Sequence, residues 1–566
     1  MPDPGRMQTE STRNDKIVIV VPCIFNEWGQ NMNYKGKIAA AASACFLAAC
    51  SFFCMSVYGA EKPEYLKSVT YFGDEWPINY WNSEDKDMED NFERIAEDGF
   101  NSIILVAPWR EFQPNSLGGQ YNEKAFERLD EVMDCAGEHG LWVILRLGYT
   151  WDYYGAAELP ARFANVVQEN SEDRHAWIRY SERIYETASA HENFHSGFIT
   201  WEDFWAYTYN MNDDIPMSNR LRMAKKSGYI QYLKERYTLE EVSGWYGCRF
   251  ISFDDVYLPY GSHPSAGLFY DFYDQFLMDL LKETQEVFPG LSMEVRADGD
   301  RVYDTEGSYR YYSHSATYPC EGAPYTALMY SVSMGQANKN DRISSETALQ
   351  AMRENLSRLY GASGKKFYVE QLLYMDSTEA YSFNTQIYED QMDDFVRNLA
   401  PVLSEHTNGY GLWVYRNYVN NCVYNSQFAL EKDGWEFSGG SSVVTRNGTW
   451  MASVNNGGSI AQKLTGRLPR SPMVYVEFHA ETDSVGAGVK VKLGEKEKNI
   501  RITEAGTYTA EFPWQDAHDL VITGDKRVYL DDIRVYTYEQ IGRIYEKDGT
   551  EADLAGDFRI LNGEIG

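Results

Sequence analysis

Two segments of the sequence decide how this chain folds: Gly197-Phe-Ile-Thr-Trp-Glu-Asp-Phe-Trp205 and Lys366-Phe-Tyr-Val-Glu-Gln-Leu-Leu-Tyr374. Each starts as an apolar run typical of a buried strand and then reaches a glutamate, Glu202 or Glu370, beside polar or aromatic residues. In a (β/α)8 barrel the carboxyl ends of the strands form the active site, so a carboxylate at such an end is a candidate catalytic group.

The chain around these segments has the pattern of a barrel. From Lys67 onward, apolar runs alternate with segments of helical period, as expected for βα units around a parallel sheet. The sequence therefore predicts an α/β fold, a (β/α)8 TIM barrel, in which Glu202 follows strand four and Glu370 follows strand seven. The eight predicted strands are Ser68–Phe72, Asn101–Val106, Leu141–Leu145, Phe198–Trp201, Leu291–Val295, Ala327–Val332, Phe367–Val369 and Gly411–Tyr415.

A different pattern begins after about residue 430. Helical spacing ends, and short alternating strands separated by Gly, Asn and Asp predict an all-β jelly-roll sandwich. The opening Gly434-Trp-Glu-Phe437 and the closing Tyr529–Tyr536 resemble strands of carbohydrate-binding modules, an architecture that also includes modules without a ligand. The predicted division is 1–60 for an N-terminal extension with a signal peptide or anchor, 61–428 for the barrel, 429–540 for the sandwich and 541–566 for a C-terminal tail.

Composition narrows the class of ligand. The net charge of −32 argues against nucleic acid and anionic lipid, because phosphate binding requires a basic surface. The aromatic content of 15%, with 43 Tyr and 14 Trp, suits carbohydrate, since flat rings stack on the apolar faces of pyranosides. No HExxH motif, close His pair or CxxC pair occurs, so the sequence predicts neither a metal site nor a cofactor.

The N-terminal segment has the features of an export signal. Lys35-Gly-Lys37 precedes an apolar stretch from Ile38 to Val57, which indicates either a secretion signal, with cleavage near Gly59 or Ala60, or a signal anchor. Leu47-Ala-Ala-Cys50 also resembles a lipobox. The predicted location is secreted or cell surface, with membrane contact only through this anchor or a lipid.

The two glutamates suit hydrolysis of a glycosidic bond. This reaction needs one carboxyl group that donates a proton to the leaving oxygen and one ionised carboxylate that supports the anomeric carbon. Aromatic neighbours would raise the pKa of Glu202 by desolvation, which suits an acid/base, and Tyr330 could donate a hydrogen bond that keeps Glu370 ionised as a nucleophile. The sequence predicts an O-glycosyl hydrolase with a retaining, double-displacement mechanism.

This arrangement resembles the clan A retaining glycoside hydrolases. The segments Tyr229–Val242, Trp245-Tyr-Gly247 and Phe250–Pro259 are similar to the region after the acid/base in family 42 β-galactosidases. The resemblance covers roughly residues 65–420, and it implies that Glu202 is the acid/base and Glu370 the nucleophile.

The resemblance also suggests residues that bind the substrate. It places Arg110 near the nucleophile and Trp413 beneath the sugar at subsite −1. The clan usually has Asn before its acid/base, where this chain has Trp201, so the contact to the sugar 2-hydroxyl must come from elsewhere or the substrate differs there. The predicted substrate contacts are Arg110, Trp151, Trp201, Trp205, Tyr330 and Trp413.

Two other functions compete with hydrolysis. A non-catalytic carbohydrate-binding surface protein would keep the aromatic platforms on the barrel without needing both glutamates. A polysaccharide lyase would need a Tyr, His or Lys base beside a group that neutralises a uronate, and no such cluster is visible.

Overall fold

The computed structural model describes residues 62–73, 75–117, 119–149, 158–333, 340–375, 383–466 and 468–566, without the side chains of 158–160 and 202. The predicted signal or anchor segment and Trp151 lie outside these residues. Across the described parts of the chain, no helix has the length and apolar character needed to cross a membrane.

Eight parallel strands close into a barrel, and each pairs with its neighbours in chain order, so the predicted TIM barrel is confirmed. Four strand boundaries differ from those predicted in a way that affects the site. Strand three continues to Leu147 and so includes Arg146, and strand eight ends at Leu412, so Trp413 lies just beyond it. Strand four ends at Ile199, and strand seven continues past Glu370 to Leu373. The strands are β1 (Leu66–Tyr71), β2 (Ser102–Ala107), β3 (Trp142–Leu147), β4 (Phe194–Ile199), β5 (Ser292–Arg296), β6 (Thr326–Ser331), β7 (Phe367–Leu373) and β8 (Thr407–Leu412).

Helices surround the barrel, but the connection from β5 to β6, which is described in full, contains a β-hairpin and no helix. The helices on the other connections bury their apolar faces against the strands. They are α1 (Met88–Glu97), α2 (Trp109–Phe112), α3 (Glu123–Glu138), α4 (Glu158–Asn165), α5 (Glu172–Ala188), α6 (Trp201–Phe204), α7 (Met217–Lys226), α8 (Tyr229–Arg236), α9 (Leu239–Trp245), α10 (Ala266–Gln285), α11 (Ser345–Ser363), α12 (Met392–Arg397) and α13 (Ala400–His406), with α14 (Ala555–Glu564) near the C-terminus.

The barrel interior contains its own small apolar core. Because side chains alternate along a strand, every second residue points inward and residues from different strands form layers. The hydroxyl of Tyr368 donates to Ser68 Oγ at 2.8 Å within this interior. The core residues are Leu66, Ile104, Ile144, Phe198, Tyr325, Ala327 and Tyr368.

The predicted sandwich is confirmed as two five-stranded antiparallel sheets around a separate apolar core. The nine-residue strand Met473–Glu481 alternates buried and partly exposed residues along its whole length, as expected for a sheet with one face in the core. One sheet contains Glu436–Ser438, Ser459–Lys463, Asp519–Gly524, Gly488–Leu493 and Lys496–Arg501; the other contains Ser442–Arg446, Thr449–Val454, Val528–Tyr536, Met473–Glu481 and Gly506–Pro513.

Buried polar contacts join the sandwich to the barrel. Glu75, after β1, accepts a hydrogen bond from Asn421 Nδ2 at 3.1 Å and forms an ion pair with Arg534 of the last sandwich strand at 3.5 Å. Asn79 Nδ2 also donates to the carbonyl oxygen of Asn421 at 2.8 Å. Buried polar groups with satisfied partners define one geometry, so the two domains are joined by a specific interface and not by a loose linker.

The segment predicted as a C-terminal tail returns to the barrel. Phe558 and Leu561 of α14 are fully buried and belong to the same core as the barrel strands and helices. Tyr410 of β8 donates to Asn562 Oδ1 at 2.5 Å, and Arg559 forms an ion pair with the buried Asp98 at 2.6 Å. Residues 541–566 thus form part of the barrel's outer layer.

Candidate active site

Glu370 lies inside the barrel at an irregular point of β7. The pairing of β7 with β6 shifts between Tyr368 and Gln371, and its pairing with β8 shifts between Val369 and Leu372. Such bulges redirect a side chain and are common beside active sites. The side chain of Glu370 is only 1% exposed, so its carboxylate needs partners within the protein.

The main charged partner of Glu370 is Arg146 of β3. Arg146 Nη1 lies 3.9 Å from Glu370 Oε2 and donates to Gln371 Oε1 at 2.7 Å, while Nη2 lies 3.2 Å from Glu294 Oε2. Arg146 and Glu294 are as deeply buried as Glu370. One guanidinium therefore bridges two buried carboxylates, and we name Arg146, Glu294 and Glu370 the interior triad.

The layered structure of the barrel explains why these three residues meet. Alternate strands supply the side chains of one interior layer, and the triad comes from β3, β5 and β7. With both carboxylates ionised the triad has a formal charge of −1, so removal of Arg146 would leave two like charges buried together.

Trp413 lies next to this triad. The Arg146 guanidinium is 6.0 Å from the Trp413 ring centroid and 5.9 Å from that of Tyr149, which is within the range of cation–π attraction. The indole Nε1 of Trp413 donates to Tyr418 Oη at 3.2 Å, which fixes the orientation of the ring. The predicted platform residue and the predicted nucleophile thus share Arg146 as a neighbour.

The backbone of Glu202 lies immediately beyond β4. Helix α6 begins at Trp201, so Glu202 occupies its first turn and does not extend the strand. The side chain of Asp203 is buried and accepts a hydrogen bond from Thr200 Oγ1, which stabilises this turn. Glu202 and Glu370 thus come from positions four and seven of the barrel, as the sequence predicted.

The two predicted tryptophans beside Glu202 stack on each other. The rings of Trp201 and Trp205 are 4.3 Å apart at an interplanar angle of 20°. Trp201 is 3% exposed, and its ring lies 5.6 Å from the Arg296 guanidinium at the end of β5. The residue that replaces the usual Asn is therefore a wall of the site.

A small pocket opens beside Trp201. Arg296 forms a two-pronged ion pair with Asp298, with both N···O distances at 2.9 Å. Because Glu294 and Arg296 are two residues apart on β5, they lie on the same face of the strand, with Arg296 nearer its carboxyl end. The pocket and the triad are thus connected through β5. Its lining residues are Trp201, Arg296, Asp298, Gly299, Asp300, His314 and Thr317.

His314 joins the pocket to α10. Its Nδ1 lies 2.7 Å from Asp274 Oδ1, and its Nε2 lies 3.0 Å from Asp300 Oδ2. Burial of the ring opposes protonation, but the hydrogen bonds and charges of the two aspartates outweigh it and raise the pKa of His314 to about 9. Trp201 and Trp205 meet the imidazole edge to face, so the cation also lies against aromatic rings.

This pKa predicts a loss of stability at alkaline pH. A histidine whose pKa rises from 6.5 to about 9 on folding stabilises the protein fully below pH 6.5, and the contribution disappears as the pH rises through 9. We expect the free energy of unfolding to fall by up to about 3 kcal/mol across this interval. Denaturant titrations at several pH values measure this change in the free energy of unfolding. His314→Gln should remove the dependence, whereas His518→Gln, at a half-buried position of the sandwich, should keep it; an unchanged profile in His314→Gln would contradict the assignment.

The remaining predicted contacts lie in different places. Tyr424 lies in the connector between the barrel and the sandwich, and burial raises the pKa of its phenol. The charge of Arg110 on α2 opposes this shift, so Arg110 lies near the connector. Tyr330 of β6 is fully buried within the core that joins strands and helices, and burial raises the pKa of its phenol. The substrate roles of Arg110, Tyr330 and Trp151 stay predictions.

A family model matches the first part of the barrel sequence. Residues 61–206, which include β1–β4 and Glu202, match the family model described as Cellulase (glycosyl hydrolase family 5). This match confirms the predicted enzyme class, a glycoside hydrolase. Family 5 belongs to clan A, whereas the family 42 resemblance of Tyr229–Pro259 lies beyond the matched residues and stays a prediction. No curated protein matches the sequence significantly.

Solved glycosidases are distant structural neighbours of this glycoside hydrolase. A GH5_18 protein from Bifidobacterium longum subsp. infantis aligns with 62% of this chain and 70% of its own, at 14% identity and a TM-score of 0.38. The β-galactosidase from the psychrophilic Marinomonas ef1 aligns at 14% identity and a TM-score of 0.41, over 62% of this chain and 54% of its own. The exo-beta-1,4-mannosidase Op5Man5 from Opitutaceae bacterium strain TAV5 aligns at 10% identity and a TM-score of 0.39, over 62% of this chain and 52% of its own.

Proposed function

We propose that this chain is an exported, retaining glycoside hydrolase that cleaves O-glycosidic bonds in a polysaccharide or oligosaccharide. The observation that carries the proposal is the deeply buried Glu370 on β7, beside Arg146 and Trp413, in a barrel whose β4 is followed by Glu202. The family 5 match over the segment that includes Glu202 supports the same chemistry.

In this mechanism Glu370 is the nucleophile. Its carboxylate attacks the anomeric carbon and forms a covalent glycosyl ester as the bond to the leaving oxygen breaks. The Arg146 guanidinium favours the ionised carboxylate before attack, since an opposite charge stabilises the charged form. Glu294 competes for the same guanidinium, so the charge of Arg146 is shared between both carboxylates.

Glu202 moves the proton in both steps. As an acid it gives its proton to the leaving oxygen, and as a carboxylate it then takes a proton from the water that cleaves the glycosyl ester. The stacked rings of Trp201 and Trp205 flank its backbone and would limit access of water to this side of the site. The Trp413 ring provides an apolar surface for the sugar face beside Glu370.

The pocket beside Trp201 suits the hydroxyl groups of a neutral sugar. Asp298 and Asp300 supply acceptor oxygens, and Arg296 and His314 supply donors, all within one cavity. Each charged donor already pairs with a carboxylate, so the pocket has no excess positive charge that would favour an anionic substrate.

Export and sugar binding by the sandwich are also part of this proposal. They rest on the apolar Ile38–Val57 stretch and on the similarity of the sandwich strands to carbohydrate-binding modules. A secreted enzyme that acts on a polymer would use such a module to remain near its substrate.

Product stereochemistry tests the proposal. The protein is incubated with β-linked glucan, mannan and galactan oligosaccharides and aryl glycosides, and the first product is followed by proton NMR. We expect product with the anomeric configuration of the substrate, because two successive displacements restore it. An inverted first product would contradict the double displacement, and binding without any cleavage across the panel would favour the alternative of a non-catalytic carbohydrate-binding protein.

A further inference from the structure

The β5–β6 connection forms a well-defined hairpin. Strands Asp300–Tyr303 and Tyr309–Tyr312 pair antiparallel, with Tyr303 opposite Tyr309 and Arg301 opposite Tyr311. In the turn, Asp304 Oδ1 accepts hydrogen bonds from the backbone nitrogens of Glu306 and Ser308, both at 2.9 Å. This local network gives the hairpin a defined shape.

One face of the hairpin is attached to α10. Val302 is 6% exposed and faces Gly267 of that helix. The hydroxyl of Tyr312 donates to Asp271 Oδ1 at 2.6 Å, which adds a polar contact to the same helix. The hairpin is therefore held against the barrel by its inner face, and its outer face has no structural task in this attachment.

The outer face carries aromatic rings. Tyr309 and Tyr311 are 49% and 60% exposed, and their ring centroids are 5.6 Å apart. Tyr303 lies 5.8 Å from Tyr309, and the Arg301 guanidinium lies over the Tyr309 ring at 4.6 Å. A group of large exposed rings on a fixed scaffold marks a binding surface more often than a chance exposure. We name Arg301, Tyr303, Tyr309 and Tyr311 the tyrosine face.

The tyrosine face begins where the pocket ends. Asp300 pairs with Tyr312 at the base of the hairpin, and the same Asp300 lines the pocket and contacts His314. A Cβ atom at Gly299 would lie 2.4 Å from the Tyr312 carbonyl oxygen, so only glycine allows the hairpin to close this near the pocket. A ligand that leaves the pocket along the hairpin meets these rings next.

We propose that the tyrosine face is a distal glycan-binding surface, which holds the sugar units of a neutral oligosaccharide that extend beyond the pocket. The inference rests on the proposed function, and it adds that the substrate is long enough to extend beyond the pocket. Tyrosine rings offer a flat apolar face and a polar hydroxyl to a pyranose. The net charge of −32 disfavours a polyanionic ligand, and continuity with the sugar pocket favours a glycan over a protein partner.

Binding measurements without turnover test this inference. In a Glu370→Gln background, isothermal titration calorimetry compares di- and hexasaccharides of β-1,4-linked glucose and of β-1,4-linked mannose. With Tyr309→Ala and Tyr311→Ala added, we expect affinity for the hexasaccharide that fits the enzyme to fall roughly tenfold, while disaccharide affinity is unchanged. Tyr360→Ala is the matched control, since Tyr360 is 38% exposed but lies near the end of α11 that leads into β7, at the opposite end of the barrel.

The possible results separate this inference from the proposed function. Hexasaccharide affinity that is equal with and without the two rings, or absent in all variants, overturns the tyrosine face as a glycan surface. If the two substitutions change the sedimentation coefficient of the protein but not its glycan affinity, the rings form a contact between protein copies. This result also overturns the inference. Failure of the proposed function has a different result: the parent protein cleaves no probe, yet hexasaccharide binding still depends on the rings.

Discussion

Glu370→Gln should abolish turnover and leave the fold intact. The substitution keeps the size of the side chain and its place beside Arg146 but removes the charge that attacks the anomeric carbon. Loss of a covalent nucleophile costs on the order of 10⁴-fold or more in kcat. Steady-state kinetics with an aryl glycoside measure this loss, and circular dichroism with thermal unfolding verifies the fold.

A matched experiment distinguishes the nucleophile from the acid/base. With azide present, Glu370→Ala should release a glycosyl azide of inverted configuration, because azide enters from the face that the carboxylate vacated. Glu202→Ala should instead give an azide product of retained configuration, since the covalent intermediate still forms. Near-normal activity of Glu370→Gln, or the same configuration from both variants, would remove Glu370 from the nucleophilic role.

Arg146→Met should reduce both stability and catalysis. Without the guanidinium, Glu294 and Glu370 remain buried near each other with no compensating charge from β3. Breaking a buried ion pair in this way costs about 3–5 kcal/mol. Denaturant unfolding measures the stability, and the pH profile of kcat/KM reports on ionisation of Glu370, which should require a higher pH in the variant because one favourable charge is lost.

Two further variants separate the role of Arg146 from simple stabilisation. Arg146→Lys keeps the charge but lacks the fork that reaches Glu294, Glu370 and Gln371 together, so it should recover part of the stability and little of the activity. Arg174→Met removes another buried arginine, one that pairs with Glu283 between α5 and α10. It should lower stability without moving the pH profile. A profile that is unchanged in Arg146→Met would make this residue purely structural.

The sequence was sufficient for the architecture because the relevant signals are local. The alternation of apolar runs with segments of helical period predicted all eight barrel strands, and the change of pattern near residue 430 predicted the sandwich. The same strand count placed Glu202 and Glu370 at strands four and seven. Strand ends were predicted less accurately, since Trp201 starts a helix and β7 continues through Glu370.

The interior triad was not predicted, because it depends on how the barrel closes. The predicted third strand ended at Leu145, before Arg146, but β3 continues to Leu147 and its course directs the Arg146 side chain into the interior. In the sequence, Glu294 has no feature that separates it from other strand residues. Only the closed barrel places it in the same layer as Arg146 of β3 and Glu370 of β7. Which residues share a layer depends on the stagger between strands, and this stagger cannot be read from the local sequence pattern of one strand.

The cluster at His314 was missed for a similar reason. Its partners Asp274 and Asp300 come from α10 and the hairpin, 40 and 14 residues away. The structural role of the C-terminal segment did have a signal: Phe558 and Leu561 are three residues apart, which is the spacing of one apolar helix face.

The return of residues 541–566 to the barrel has a consequence for synthesis. The sandwich lies between two segments of one barrel and leaves the ribosome before the last of them. Asp98, Tyr410 and Lys67 therefore lack their contacts to Asn562 and Arg559 until residues 541–566 have been synthesised. The sandwich has its own core and can form during this interval. The outer layer of the barrel is thus completed only after residues 541–566 have emerged from the ribosome.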